Sequence, residues 1–415
     1  MILGGTDFLG ASRVACALTP KARRIAQVRP VAAVCYTGCA CPTRTVVTDK
    51  ATNSGTQTYA RNFKGRAADG HFREVQGLVL SSLGIGTYLG QPDERTDAGY
   101  TSAIVAAVEN GINVVDAAIN YRFQRSERSV GTALVQLEDQ GFAREQIVVC
   151  TKAGYLTPDA KLPADPNRYF FEEYIQRGIF QAKDIAAGSH CMAPRFLQDQ
   201  LARSLANMGV DSIDIFYLHN PETQLTEIPK PQFLSRIREA FHFLEATVAN
   251  GKIQFYGMAT WNGFRQDATA RDAMQLSDFV TIAKEIAGDS HHFRFVQLPF
   301  NLGMTEALTL GNQSVDGKTL TITEAAEELN VTLIASASLL QGQVASNLPT
   351  FVADALGLES DAERALQFVR SSPGITTALV GMTSEQHVVA NAKLVAIPPA
   401  TIDQFSRLFS RGQAG

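Results

Sequence analysis

From about Gly70 onward the chain alternates two hydrophobic rhythms. Short, continuously apolar runs at Val114–Ala118, Ile147–Thr151, Ile213–Leu218, Ile253–Ala259, Phe295–Phe300, Thr332–Ala337 and Thr377–Gly381 read as buried strands. Between them, helical spacing covers Arg95–Asn110, Ser126–Leu137, Pro194–Met208, Phe233–Asn250, Thr323–Asn330, Asp361–Arg370 and Ser384–Ala392, with a further helix across Asp278–Ala287. His71–Thr87 reads as a small hairpin turning near Gly77 and leading into a first buried strand near Leu83. Eight strand–helix units in one stretch favour a (β/α)8 barrel over an open sheet. Strands apolar on both faces fit a barrel covered outside by helices.

Period-two parity then sorts the side chains. Val114 and Asp116 fall on one face of their run; so do Val148, Cys150 and Lys152, and so do Ile213, Ile215, Tyr217 and His219. Each row would fill the barrel interior, and each ends in a polar residue at the C-terminal rim, where barrel active sites are built. Tyr121 lies five residues after Asp116. Ionisable groups at the ends of apolar strands are costly unless they pair and face a cavity. An acid, a phenol, an ammonium and an imidazole gathered there suit proton transfer to or from an oxygen.

One connection is unusually long. Thr157–Pro194 has no strand pattern and contains Pro158, Pro163, Pro166 and the aromatics Tyr169, Phe170, Phe171, Tyr174 and Phe180. It comes after the strand carrying Lys152, so it reads either as a lid over the rim or as a surface excursion packed on its own aromatics. The tail after Pro399 is predicted helical over Thr401–Phe409, a further candidate to cover the rim.

Composition changes the picture mainly at the N-terminus. The chain has 415 residues, 45% hydrophobic, enough for a large barrel. Its net charge of −4 gives no general attraction to nucleic acid or anionic membrane. No run of apolar residues is long enough for a transmembrane helix. Residues 1–66 carry ten Lys/Arg against Asp7 and Asp49, a net of +8 that leaves −12 on the remainder. This stretch is expected to be a loosely ordered basic extension, with the barrel domain spanning 67–415. Within it Gly4–Gly10 resembles a dehydrogenase glycine turn. Asp7 stands at the intended central glycine, and Pro20 and Pro30 break the helix and strand that such a turn requires, so no working Rossmann site is expected. Cys35, Cys39 and Cys41 lack a second pair at zinc-finger spacing and read as adventitious thiols. The six cysteines make no disulfide framework, and a reducing, cytoplasmic setting is expected, organelle targeting by the basic segment being the alternative.

The motifs resemble the aldo-keto reductase superfamily. NVVDAAINYRFQRSERSVGTAL is similar to its strand-two signature, IVVCTKAG to its lysine motif and IDIFYLHNPE to its histidine motif. FVQLPFN resembles the segment whose glutamine holds the nicotinamide amide, and TALVGMTSEQHVVANAK the segment gripping the adenosine end. The resemblance runs from about Leu78 to Lys393. It implies a (β/α)8 barrel and NADPH-dependent carbonyl reduction, without a Rossmann domain or metal.

The same resemblance implies a catalytic tetrad of Asp116, Tyr121, Lys152 and His219. Tyr121 would be the general acid, Lys152 would lower its pKa, Asp116 would hold Lys152, and His219 would orient the substrate oxygen. For the cofactor it implies Gln297 at the carboxamide, Asn391 at the adenine, and Leu339 to Gly342 along the diphosphate. Departures accompany these. The usual Ser-Asn pair appears as Ala259 and Thr260, with Asn262 as a substitute. The aromatic expected to stack on the nicotinamide is Ser336, with Trp261 as a stand-in. The cations expected at the 2′-phosphate appear as Gly381, Met382 and His387, leaving Thr383 and Ser384 to offer hydroxyls and a helix N-terminus. NADPH is the expected cofactor and NADH is not excluded. The expected partner is a small carbonyl or alcohol substrate, not nucleic acid or a membrane. The sequence sets no oligomeric state. A cofactor-binding regulatory protein with slow or no turnover is the alternative reading.

Overall fold

In the computed structural model residues 49–410 are described; the Gly4–Gly10 turn, the first four cysteines and most of the basic segment lie outside them. In chain order the elements are α1 (Asn53–Asn62), β1 (Phe72–Val75), β2 (Leu78–Ser81), β3 (Leu83–Gly86), α2 (Glu94–Glu109), β4 (Val114–Asp116), α3 (Arg125–Asp139) and β5 (Val148–Ala153). They continue as α4 (Pro166–Phe170), α5 (Pro194–Met208), β6 (Ile213–His219), α6 (Lys230–Ala249), β7 (Ile253–Ala259), α7 (Leu276–Ala287), β8 (Phe293–Pro299) and α8 (Glu306–Thr309). The last are β9 (Gln313–Val315), β10 (Lys318–Leu320), α9 (Ile322–Glu328), β11 (Thr332–Ser336), α10 (Thr350–Leu356), α11 (Asp361–Ser371), β12 (Ile375–Gly381), α12 (Glu385–Ala392) and α13 (Ile402–Ser410).

Eight of the strands close a parallel barrel in the order β11-β12-β3-β4-β5-β6-β7-β8. The (β/α)8 expectation holds, and the hairpin turns at Gln76–Gly77 as expected, with β1 and β2 antiparallel. The helices form the outer layer, their apolar stripes buried in one continuous cluster with the outward faces of the strands. A second, smaller cluster fills the interior. It holds Val114, Val148, Cys150, Ile215, Tyr217, Ala259, Phe295, Ile334 and Leu379, together with Leu78 and Leu80 of the hairpin and Ala51. The hairpin therefore closes the N-terminal end of the barrel. Parity placed this interior row correctly except at Ile213, which belongs to the outer cluster.

Residues 49–66 require a correction. They hold the ordered helix α1 and its flanking turns, not a loose extension. Thr52 caps α1 by accepting from Gly55 N. Tyr59 is fully buried and donates its hydroxyl proton to Val108 O. The Ala51 N–H donates to Asp214 Oδ1 at 2.7 Å, and Asp214 Oδ2 accepts from Arg144 at 2.8 Å and from Val149 N at 2.7 Å. α1 has few apolar residues of its own, so only tertiary contacts make it a helix.

The Thr157–Pro194 connection packs on its own aromatics. Tyr174 is buried, stacks on Phe180 at 5.7 Å and meets Phe196 of α5 at 5.9 Å. Phe171 and Leu162 remain exposed. The tail helix α13 lies on the outer layer, where Phe405 stacks on Phe368 of α11 at 5.3 Å. The β9–β10 hairpin and α10 had no signature in the apolar pattern. Among the described residues no helix is long and apolar enough to cross a membrane.

Candidate active site

Three polar side chains end adjacent strands, as their parity requires. Asp116 ends β4, Lys152 is the penultimate residue of β5 and His219 ends β6; all are buried. Lys152 Nζ donates to Asp116 Oδ2 at 2.6 Å and to Ala117 O at 2.8 Å. It also faces the Tyr121 ring, 4.8 Å from the centroid. His219 meets the Tyr121 ring edge to face at 5.8 Å. The four residues singled out in the sequence are thus brought together at the C-terminal mouth.

Tyr121 arrives there on a left-handed turn. Arg122, Phe123 and Gln124 have φ of 47°, 58° and 70°, a run of three non-glycine residues in the left-handed region. Each such residue costs roughly 1 kcal/mol, so the surroundings must hold the turn. They do so through Ala160 N to Phe123 O at 2.9 Å, Gln124 Nε2 to Pro158 O at 3.3 Å, and the buried Arg122 guanidinium over Tyr100.

The electrostatics are set by burial. Desolvation opposes charge on Lys152, but Asp116 and Tyr121 outweigh it, and its pKa lies above the ordinary value. Burial pushes the Tyr121 phenol up; Lys152 opposes this and Asp116 adds to it. The expected net lowering is therefore corrected: desolvation wins, and the phenol is protonated at neutral pH. Burial, with Lys152 and His190, holds His219 well below its ordinary range, so its imidazole is neutral. Its Nδ1 has no hydrogen-bond partner.

Among the other buried histidines, His71 and His190 are each held down to about 4 by burial. Unfolded, each would titrate near 6.5. As pH falls from 6.5 towards 4 the unfolded chain takes up protons that the folded chain refuses, so folding stability falls with falling pH. Each site contributes roughly 3 kcal/mol at full extent. The urea midpoint at pH 5 is expected to lie below that at pH 7; equal midpoints would contradict it.

The residues expected at a cofactor lie near or beyond the C-terminal ends of β7, β8, β11 and β12, four consecutive staves of the barrel. Gln297 is turned inward, donating to Asp116 Oδ1 at 2.8 Å. The Thr260 hydroxyl reaches only Gln297 O, at 3.5 Å, and Asn262 donates to Asp272 at 3.2 Å. Ser336 is half-buried at the end of β11, and Trp261 is 43% exposed. Beyond Ser336 the chain turns through left-handed Ala337, Leu340, Gln341 and Gly342, beside the half-buried Leu339. The buried Ser338 hydroxyl in this turn has no partner. Successive left-handed residues and an unpaired hydroxyl fit an anionic diphosphate. Gly381 is exposed at the end of β12; Thr383 precedes the cap Ser384, which accepts from His387 N; Asn391 is buried on α12. Between Ile375 and Ala392 there is no lysine or arginine, so nothing in this segment grips a 2′-phosphate by charge.

The sequence reading missed several neighbours. Tyr88, after β3, packs edge to face on Tyr121 at 5.0 Å. Tyr155 packs on His219 at 5.3 Å and on His190 at 5.1 Å. The buried carboxylate of Glu222 accepts from the backbone of Trp261, Asn262 and Gly263. Tyr88 and Tyr155 lie just beyond strand ends and were findable on that ground; His190 and Glu222 carried no signal.

Fold and site together define a barrel protein with an Asp–Lys–Tyr–His cluster at its C-terminal mouth. The aldo/keto reductase family model matches residues 82–410, and the chain belongs to that family. It is 29% identical over 187 residues to the NADH-specific methylglyoxal reductase of Escherichia coli, covering 44% of this chain and 49% of that protein. It is 25% identical to the 6-dehydroglucose reductase of Novosphingobium aromaticivorans over 46% of this chain and 51% of that one. The chain thus spans about half the length of these curated relatives in the matched region. An aldo-keto reductase of Bacillus halodurans in its holo form superposes with a TM-score of 0.57 at 18% identity, covering 83% of this chain and 97% of that one. One from Klebsiella pneumoniae in complex with NADP and acetate gives 0.54 at 19%, covering 82% and 96%. These two speak to the fold.

Proposed function

We propose that this protein reduces a small aldehyde or ketone, or oxidises the matching alcohol, with a nicotinamide dinucleotide as hydride source and Tyr121 as general acid. The observation that carries this reading is the Lys152 ammonium held 2.6 Å from Asp116 and facing the Tyr121 ring beside His219. When bound, the nicotinamide supplies the hydride to the carbonyl carbon. The remaining requirement is a proton on the oxygen. Tyr121, protonated at neutral pH, gives it up, and the Lys152 cation stabilises the phenolate left behind. Asp116 keeps Lys152 charged and placed. The neutral His219 offers its ring to the substrate oxygen, fixing its direction. Gln297 and Thr260, and the turn from Ser336 to Gly342, would hold the dinucleotide, with Gly381 to Asn391 at its far end. The regulatory reading has one likeness behind it, a probable voltage-gated potassium channel subunit beta of Arabidopsis thaliana at 23% identity over 78% of this chain and 90% of that one, and the reductase relatives favour the enzyme. The relatives' names, methylglyoxal reductase, 6-dehydroglucose reductase and, for a Pseudomonas protein, D-threo-aldose 1-dehydrogenase, support small oxo compounds or sugars as substrates.

Turnover of methylglyoxal and an aldose panel with each cofactor tests the reading, and no turnover with any pair would end it. On the cofactor, the missing cations give a direction. NADH is expected to serve at least as well as NADPH in kcat/KM. A preference for NADPH of tenfold or more would mean that a cation outside Ile375–Ala392 reaches the 2′-phosphate.

A further inference from the structure

The β5–β6 ladder ends at the pair Ala153 and Leu218. The carbonyl of His219 lies one residue beyond it. On one side the chain is tied down at once, because Asn220 N donates to Ala259 O at 2.6 Å and Asn220 itself is left-handed, with φ of 46°. On the other side β5 has left the sheet, and a side chain supplies the missing donor: His190 Nε2 lies 2.8 Å from His219 O. A buried carbonyl without such a partner is destabilising, so the contact is not incidental.

The proton on His190 is fixed by the groups that stand behind it. Arg236, which can only donate, occupies Gln224 Oε1. Gln224 Nε2 must then be the donor to His190 Nδ1 at 2.8 Å, and it also reaches His190 O at 3.0 Å. Nδ1 accepts, so Nε2 carries the hydrogen and points it at His219 O. Gly154 leaves the passage open. A Cβ there would stand 2.5 Å from His219 O and 2.9 Å from His190 Nε2.

His190 belongs to the returning limb of the long connection after β5. That limb is zipped to the outgoing one by Leu156 N to Ser189 O at 2.8 Å and Cys191 N to Gly154 O at 2.7 Å. Tyr155, wedged edge to face between His190 and His219, has its hydroxyl held by Asn220 and Thr223.

We propose that His190 is a positioning residue for His219: through the Arg236–Gln224–His190 chain, the seating of the 155–194 connection sets where the His219 imidazole stands relative to Tyr121. This rests on the reading of His219 as the group that orients the substrate oxygen. A connection outside the barrel thereby gains a hold on the geometry at the mouth.

The test uses the full chain with NADH and methylglyoxal, comparing His190→Phe, which fills the space without donating, with His190→Gln, which returns an N–H near the Nε2 position. His190→Phe is expected to lower kcat about tenfold to a hundredfold, the scale of a misplacement under an ångström. NADH affinity, read from Trp261 fluorescence, is expected to stay unchanged, and His190→Gln to recover most of the loss. Gly154→Ala, which drives the two groups apart, is expected to behave as His190→Phe. Wild-type kcat in His190→Phe overturns the proposal. So does an equal loss of kcat and of melting temperature in both His190 variants, which marks a fold defect without positioning. A second readout needs no turnover. In protein carrying 13C-labelled histidine, the His219 ring resonance should move in His190→Phe and return in His190→Gln. If the wild type turns over no carbonyl while this shift pattern appears, the reductase reading fails and the positioning stands; an unmoved resonance overturns the positioning alone.

Discussion

Tyr121→Phe is expected to lower kcat for carbonyl reduction by roughly a hundredfold to ten-thousandfold, the usual contribution of a positioned general acid. Only one oxygen is removed. The ring keeps its edge contacts with Tyr88 and His219 and its place over Lys152, so the fold and the mouth should be intact. NADH binding, monitored through Trp261, the single tryptophan of the chain, is expected to be unchanged. Turnover within threefold of wild type would remove Tyr121 from the chemistry. The wild-type pH profile should agree: burial holds the phenol above its ordinary value despite Lys152, so reduction is expected to persist through neutral pH and fail only at alkaline pH, where the phenol deprotonates.

The second large effect is on stability, at the opposite end of the barrel. Asp214→Ala is expected to cost about 3–5 kcal/mol. Asp214 is fully buried, and its carboxylate is the meeting point of Arg144, Val149 N and Ala51 N. Its loss leaves the buried Arg144 without its anion and two backbone N–H groups without an acceptor. Because Ala51 leads directly into α1, the same change should free the segment before the barrel. Urea unfolding with an unchanged m-value is the measurement, and a shift below 1 kcal/mol would show that the cluster is replaceable. Asp214→Asn keeps one acceptor oxygen and is expected to cost less.

The two ends of the barrel differ in how far the chain alone disclosed them. Asp116, Lys152 and His219 were legible because a strand's side chains alternate strictly. An apolar run ending in a polar residue of the interior parity has only one place to put it. Tyr121 was legible by its place just beyond the same run, and its role only through the resemblance to the aldo-keto reductase strand-two signature. Asp214 was not, since its parity sets it away from the interior row and nothing in IDIFYLH announces a partner in Arg144, seventy residues earlier. α1 was misread for a related reason: a basic, weakly apolar stretch has no periodicity of its own, and its order comes from Tyr59 and Phe63 burying against elements later in the chain.

The sequence by itself determined the eight-unit barrel, the end of it at which the polar side chains gather, and the identity of the four that meet. The barrel and three of the four come from local periodicity, which a chain carries residue by residue; Tyr121 came with the resemblance. Only the tertiary structure decided the protonated state of Tyr121, because that depends on how completely the phenol is desolvated beside a paired Lys152. It alone decided that Gln297 turns to Asp116, that three left-handed residues carry the chain away from Tyr121, and that His190 reaches His219 from a connection without strand or extended helix. Each of these is set by contacts between segments distant in sequence, where spacing along the chain holds no information about who the partner will be.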